Sequence, residues 1–231
     1  MPTLRGLLFR GNLVREALTL PFARLAAVPR STCGLFEFLA PALPDLPRLP
    51  AHLEAATQPE LGHQVVVESS EPEVARTLYT LAVLGQARRV VEVGVFRGYT
   101  SQHRAAALGP GGDLHLVDLS ASALDEAAGR AAAATTARVH RHHGRSTDPA
   151  VLAGVPGGCD LVFLDADHTE RGVLAELDAW WPKVRVGGIL AVHDTINVPG
   201  VGRAVHARAD RGLTLTLATS RGSGLTLLRK T

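Results

Sequence analysis

Asp165, Asp167 and His168 stand together after one apolar run, and His193 and Asp194 stand together after another. The first run is Leu161-Val162-Phe163-Leu164 and the second is Gly188-Ile189-Leu190-Ala191-Val192. Both read as strands, so both polar clusters fall at carboxyl ends of strands. In an open α/β sheet that is where ligands bind. Three oxygen or nitrogen donors converging there can hold a divalent cation. A third run, Val90-Val91-Glu92-Val93, enters the turn Gly94-Val95-Phe96-Arg97-Gly98. Gly94 lets backbone approach a ligand, and Gly98 lets the next helix pack closely. Asp118 ends the following strand-like run, at a spacing that suits a carboxylate accepting hydrogen bonds from ribose hydroxyls. Its alternative role is to cap the helix expected from about 121. The dinucleotide fingerprint wants a third glycine, and here Val95 and Phe96 crowd the space that phosphates would fill. A cofactor with a ribose and no phosphates fits better, which disfavours a nicotinamide oxidoreductase.

These residues need a frame. Ser69-Ser70-Glu71-Pro72-Glu73 has the composition of a helix start, with a serine cap, Pro in the first turn and acids at the positive dipole end. The pattern then predicts a helix to about 84 and strands at 89–93, 115–118, 137–142, 160–164 and 188–192. Helices are expected over 99–108, 121–134, from 148, over 170–182 and near 200–210. Residues 213–218 and 225–228 flank Ser220-Arg221-Gly222-Ser223-Gly224 and read as a closing antiparallel hairpin. The sum is a Rossmann-like, doubly wound α/β sheet of seven strands with a largely parallel centre. Residues 1–64 carry Pro41, Pro44, Pro47 and Pro50 between short apolar stretches and read as a helical extension, a lid or an oligomer contact. The nucleotide-type domain is expected over 65–231.

Taken together, the Glu92–Ser101 segment, the Asp118 strand end, Phe163–His168 and Gly187–Asp194 resemble class I S-adenosylmethionine-dependent methyltransferases. More narrowly they are similar to the metal-dependent O-methyltransferases of the catechol and caffeoyl-CoA type, and to the macrolide and aminocoumarin sugar enzymes of natural-product biosynthesis. The resemblance implies that Glu92 and Gly94, with Gly98, hold the methionine part of S-adenosylmethionine, with Thr100 or Ser101 at its carboxylate. Asp118 would take the ribose and Gly144-Arg145-Ser146 the adenine edge. Asp165 joins the cofactor set and, with His193 and Asp194, would bind a divalent metal. Relatives carry an acid where this chain has His193, and imidazole suits a transition metal better than Mg²⁺. The general base is Asp167 or His168. The acceptor would be a hydroxyl of a small molecule. The competing readings are a metal-dependent hydroxylase and a non-catalytic binding subunit on the same fold.

The bulk numbers exclude other classes. A net charge of +2 and 4% aromatic residues give neither a basic stripe nor base-stacking platforms, against a nucleic-acid partner. No apolar run reaches the roughly 20 residues of a membrane span. Cys33 and Cys159 make no disulfide framework, so a reducing cytoplasm is expected. The basic stretch 1–30 reads as an amphipathic arm against the domain or a partner subunit, and a homodimer or higher homo-oligomer is expected. His140, His142 and His143 lack acidic or cysteine partners in sequence and are expected to line the cofactor pocket without binding metal.

Overall fold

A computed structural model of the chain describes residues 70–219 and 221–231. The extension expected over 1–64 lies outside them. The described elements alternate. Helix α1 (Pro72–Leu84) leads to β1 (Arg89–Val93), α2 (Tyr99–Ala107), β2 (Asp113–Asp118), α3 (Ala121–Ala134) and β3 (Arg138–His143). The second half runs α4 (Pro149–Gly154), β4 (Cys159–Leu164), α5 (Glu170–Trp180), β5 (Val184–His193), α6 (Pro199–His206), β6 (Gly212–Leu217) and β7 (Leu225–Lys230). They form one seven-stranded sheet in the order β3-β2-β1-β4-β5-β7-β6. The pairs from β3 through β5 are parallel, and β7 is antiparallel to both β5 and β6.

The central strands are buried on both faces, which is why they read as unbroken apolar runs and not as alternating ones. Along β1, Val90 joins a core with Leu78, Leu114, Leu116 and Phe163. Val91 and Val93 point the other way, into a core with Val162, Leu177, Trp180 and Leu190. Helices α1 to α3 cover the first face and α4 to α6 the second. The strand order reverses between β1 and β4, and there the crevice beyond the strand ends opens. No helix among the described residues is long and apolar enough to cross a membrane.

Three expectations needed revision. Strand β5 begins at Val184, four residues earlier than the apolar run suggests. Its pairing with β4 shifts register between Cys159 and Leu161, beside Gly187 at φ +78° and Gly188. A β-carbon on Gly188 would lie 2.8 Å from the Cys159 carbonyl oxygen, so glycine here marks close approach of two strands, not a turn. Helix α5 stops at Trp180 and tightens into a 3₁₀ turn over Trp181–Lys183, because Pro182 cannot continue the ladder. The serine cap of α1 is not made: Glu71 stands at the cap position and its side chain makes no cap hydrogen bond. Ser70 and Glu71 are used elsewhere, as shown next.

Candidate active site

A cavity of about 1210 Å³ opens over the carboxyl ends of β1, β2, β4 and β5. Gly94 and Gly144 line it with left-handed backbone, whereas Gly98, expected at the cofactor, does not line it. Gly94, at φ +84°, sits against the end of β4, where a β-carbon would lie 2.3 Å from the Asp165 carbonyl oxygen. A Gly94→Ala change should therefore cost at least about 2 kcal/mol through backbone strain and clash. Thermal unfolding measures this, and an unchanged midpoint would mean that the β4 end can move aside. Gly98 plays the matching part for α2, where a β-carbon would lie 2.5 Å from Ala127 Cα of α3.

On the β2 side, Asp118 lines the cavity. Its Oδ2 accepts from Val95 N at 2.9 Å and its Oδ1 from Ser120 N at 2.8 Å. The carboxylate is thereby fixed, with lone pairs left for a ligand. Ser120, not Asp118, caps α3, accepting from Ala123 N at 3.2 Å. Ser146 Oγ donates to Glu176 Oε1 at 2.5 Å, and burial pushes the Glu176 pKa up to about 7. Glu176 was not singled out in the sequence.

Three expected methionine-end residues separate. Thr100 lines the cavity, whereas Glu92 and Ser101 are fully buried and do not. The Glu92 carboxylate accepts from the Thr100 hydroxyl and lies 3.3 Å from Arg104 Nη1, in a pair with no exposure on either side. Burial raises the Glu92 pKa and Arg104 opposes the rise. The Arg104 guanidinium also lies over the Phe163 ring, 4.2 Å from its centroid. The Tyr99 hydroxyl, buried in the cavity wall, has no hydrogen-bond partner among the described residues. A polar ligand atom at this end would satisfy it, so the lining suits a ligand such as the methionine part of S-adenosylmethionine.

On the β4–β5 side the acidic clusters meet. One ligand atom each from Asp165, His168 and Asp194 lies within 4.8 Å of the others. His168 Nε2 is 2.9 Å from Asp194 Oδ2 and 3.9 Å from Asp165 Oδ1. The hydrogen bond to Asp194 raises the His168 pKa. For Asp194, burial would raise the pKa, but His168 and His193 beside it hold it low. Two carboxylates and an imidazole are a donor set that fits a divalent transition metal. Asp194 adopts φ +58°, one of three non-glycine residues with positive φ among the described residues.

His193, expected as the third ligand, has both ring nitrogens engaged. Nε2 is 2.9 Å from Glu71 Oε2, and Nδ1 is 3.2 Å from Asp165 Oδ1. Burial opposes charge on this imidazole, but Asp165, Glu71 and Asp194 outweigh it and its pKa is pushed up to about 10. Glu71 is buried too. Burial alone would raise its pKa, and hydrogen bonds from His193, Ser223 and Thr219 hold it far below the usual carboxylate range.

Asp167 lines the cavity, and its Oδ1 accepts from Thr169 N at 2.8 Å and Thr169 Oγ at 2.7 Å. Burial would raise its pKa, and these two bonds lower it. Gly172, on the first turn of α5, leaves the room that this carboxylate occupies. Thr169, not His168, caps α5, accepting from Gly172 N at 3.1 Å.

The second histidine cluster does not line the cavity. His140 stacks on His115 with ring centroids 4.5 Å apart and bonds Asp113 at 2.8 Å, while His142 Nε2 lies 3.0 Å from His115 Nδ1. The parallel pairing of β2 with β3 places these side chains on one sheet face, away from the strand ends. Cys159 is buried, and burial pushes its thiol up to about 11, which suits packing and not nucleophilic attack.

Residues 91–195 match a protein family described as a methyltransferase domain. No curated protein matches the chain. Among solved structures, the chain is similar to the O-methyltransferase TomG from Streptomyces achromogenes, involved in tomaymycin synthesis and solved with S-adenosylmethionine. The identity is 25% and the TM-score 0.65, over 84% of this chain and 96% of that one. An O-methyltransferase from Bacillus cereus, solved with S-adenosylhomocysteine, is 20% identical with a TM-score of 0.63, over 84% of this chain and 95% of that one. A methyltransferase from Podospora anserina, also bound to S-adenosylhomocysteine, is 12% identical with a TM-score of 0.64, over 84% and 94% of the two chains. The last two likenesses bear on the fold alone.

Proposed function

We infer an enzyme that methylates a small-molecule hydroxyl with divalent-metal assistance, from a chain whose residues 91–195 match a methyltransferase-domain family and whose fold is similar to that of an S-adenosylmethionine-bound O-methyltransferase. The observation that carries this reading is the sharing of one cavity by two sets of side chains. Asp118, Thr100 and Ser146 line one part of it, and Asp165, Asp167, His168 and Asp194 line the other. S-adenosylmethionine would supply the methyl group, and a divalent cation would lower the pKa of the acceptor hydroxyl.

In this reading Asp118 orients the ribose and Ser146, braced by Glu176, borders the adenine. Asp165, His168 and Asp194 hold the cation. Asp167 receives the hydroxyl proton at the oxygen that Thr169 leaves free. Its lowered pKa makes it a weak base, which is adequate only for a hydroxyl already acidified. Catalysis is then mainly alignment of the acceptor oxygen with the methyl carbon, plus removal of one proton. His168 is the alternative base, and the two are separable. Asp167→Asn should lose turnover with near-normal Mn²⁺ affinity, and His168→Gln should lose Mn²⁺ affinity as well. The reverse pattern would exchange their roles.

Calorimetric titration with S-adenosylhomocysteine tests the cofactor. Asp118→Ala should weaken binding by about 1–3 kcal/mol through lost hydrogen bonds to a charged group. Unchanged affinity would remove Asp118 from the ribose. We further propose a cytoplasmic homo-oligomer with residues 1–64 as a lid or subunit contact, because that apolar segment broken by prolines is too small to fold alone. Light scattering on the full chain checks this, and a monomer would count against it.

A further inference from the structure

Glu71 and His193 are buried, hydrogen-bonded to each other and beside the reacting end of the cavity, yet the proposed chemistry gives them no task. We propose that Ser70 and Glu71 are positioning residues for Asp165, Ser70 directly and Glu71 through His193. The inference rests on the metal-binding reading for its purpose, since Asp165 is a ligand there.

The geometry is a closed chain. Ser70 Oγ donates to Asp165 Oδ2 at 2.8 Å. The neighbouring Glu71 presents Oε2 to His193 Nε2 at 2.9 Å, and the other side of the same ring presents Nδ1 to Asp165 Oδ1 at 3.2 Å. An imidazole is rigid, so fixing one ring nitrogen fixes the other. Both oxygens of Asp165 are thus set by one dipeptide at the start of α1. Each oxygen keeps a lone pair for a further ligand. Glu71 in turn cannot swing. It is 1% exposed, and its Oε1 accepts from the hydroxyls of Thr219 and Ser223, which belong to the β6–β7 connection. Partners of this kind behind a metal ligand typically change metal affinity by about 10–100-fold. The competing account is that Glu71 merely ties α1 to the β6–β7 connection.

Mn²⁺ titration of the full chain by calorimetry separates the two. Glu71→Gln keeps an oxygen for Thr219 and Ser223 but offers His193 an NH₂ that cannot accept. It should raise the Mn²⁺ Kd by about 10–100-fold while S-adenosylhomocysteine still binds normally. Ser70→Ala, which leaves no charge unpaired, should shift the Mn²⁺ Kd in the same direction. Thr219→Val with Ser223→Ala frees Glu71 Oε1 but leaves Oε2 to His193, so it should lower the thermal midpoint and raise the Mn²⁺ Kd by less than Glu71→Gln does. An unchanged Kd in folded Glu71→Gln, or in Ser70→Ala where Glu71→Gln does not fold, overturns the proposal. So does a double variant that weakens Mn²⁺ as much as Glu71→Gln. Should the wild type bind no Mn²⁺, the metal reading fails and crystal structures decide the positioning role. A displaced Asp165 carboxylate in Glu71→Gln or Ser70→Ala supports it, and superposed His193 and Asp165 overturn it.

Discussion

Asp165→Asn protein should fold, bind S-adenosylhomocysteine, and lose turnover by about 10²-fold, the upper end of what removing support from a bound metal costs, because the cation that would acidify the acceptor hydroxyl is no longer held. On the proposed reading Asp165 belongs to the cation set with His168 and Asp194, whose ligand atoms already converge. Asparagine retains the shape and one oxygen but not the negative charge, so the cation should be lost before the fold is. The assay is methyl transfer to a panel of hydroxyl acceptors, a catechol and a sugar among them, with and without added Mn²⁺. The wild type should be inactivated by a chelator and restored by the metal, whereas Asp165→Asn should respond to neither. Full wild-type activity after chelation would end the metal reading and leave Asp167 or His168 as a plain base.

Arg104→Met should be the most damaging change outside the cavity, at about 3–5 kcal/mol, because it strands a fully buried carboxylate. Glu92 and Arg104 have no exposed side-chain surface, and Glu92 Oε2 has no hydrogen-bond partner among the described residues. The pair therefore owes its existence chiefly to opposed charge. Removing both charges with Glu92→Gln and Arg104→Met should recover much of the loss, as measured by denaturant unfolding. The single variant should also be sensitive to pH. Burial lifts the folded-state pKa of Glu92 above its ordinary value of 4.5, and without Arg104 nothing comparable opposes the lift. A raised folded pKa means that the folded state binds the proton more tightly. The stability it confers is full below about pH 4.5 and is lost as pH rises toward the folded pKa. Arg104→Met should thus be least destabilised at acid pH and worse toward neutral. A pH-independent loss would point to the missing stem over Phe163 instead.

The sheet was legible because β1, β2 and β4 are mostly apolar runs that lead into a glycine turn or an acid, a pattern that local sequence carries. The clusters Asp165–His168 and His193–Asp194 were legible for the same reason. What the sequence hid was long-range pairing. Ser70 and Glu71 satisfy every local rule for a helix start, yet their side chains serve residues up to 152 positions away. Their helix-start pattern could not show it. Glu92 was expected at the cofactor through the family resemblance alone. Only the fold reveals that Arg104, one face of a helix later, has taken it into the core. The start of β5 was missed because Gly187-Gly188 looks like a turn until the strand beside it is known. His140 and His142 were expected at the cavity because they lie near a strand end, but side chains on β3 project from the sheet face and not along the strand.

Strand β7 follows β6 in the chain but enters the sheet between β5 and β6. Strand β6, though synthesised earlier, pairs with β7 alone. Until residues 225–230 arrive, β5 has an open edge and β6 has no neighbour. Thr219 and Ser223, which hold Glu71, lie in the connection between these two strands. The reacting end of the cavity is therefore complete only when residues 225–230 have entered the sheet, although the glycine turn and Asp118 lie more than a hundred residues earlier in the chain. Such late closure lengthens the path of folding, since distant contacts must wait for loop entropy to be overcome. A nascent chain stopped before Leu225 would carry an assembled cofactor half beside an unfinished reaction half.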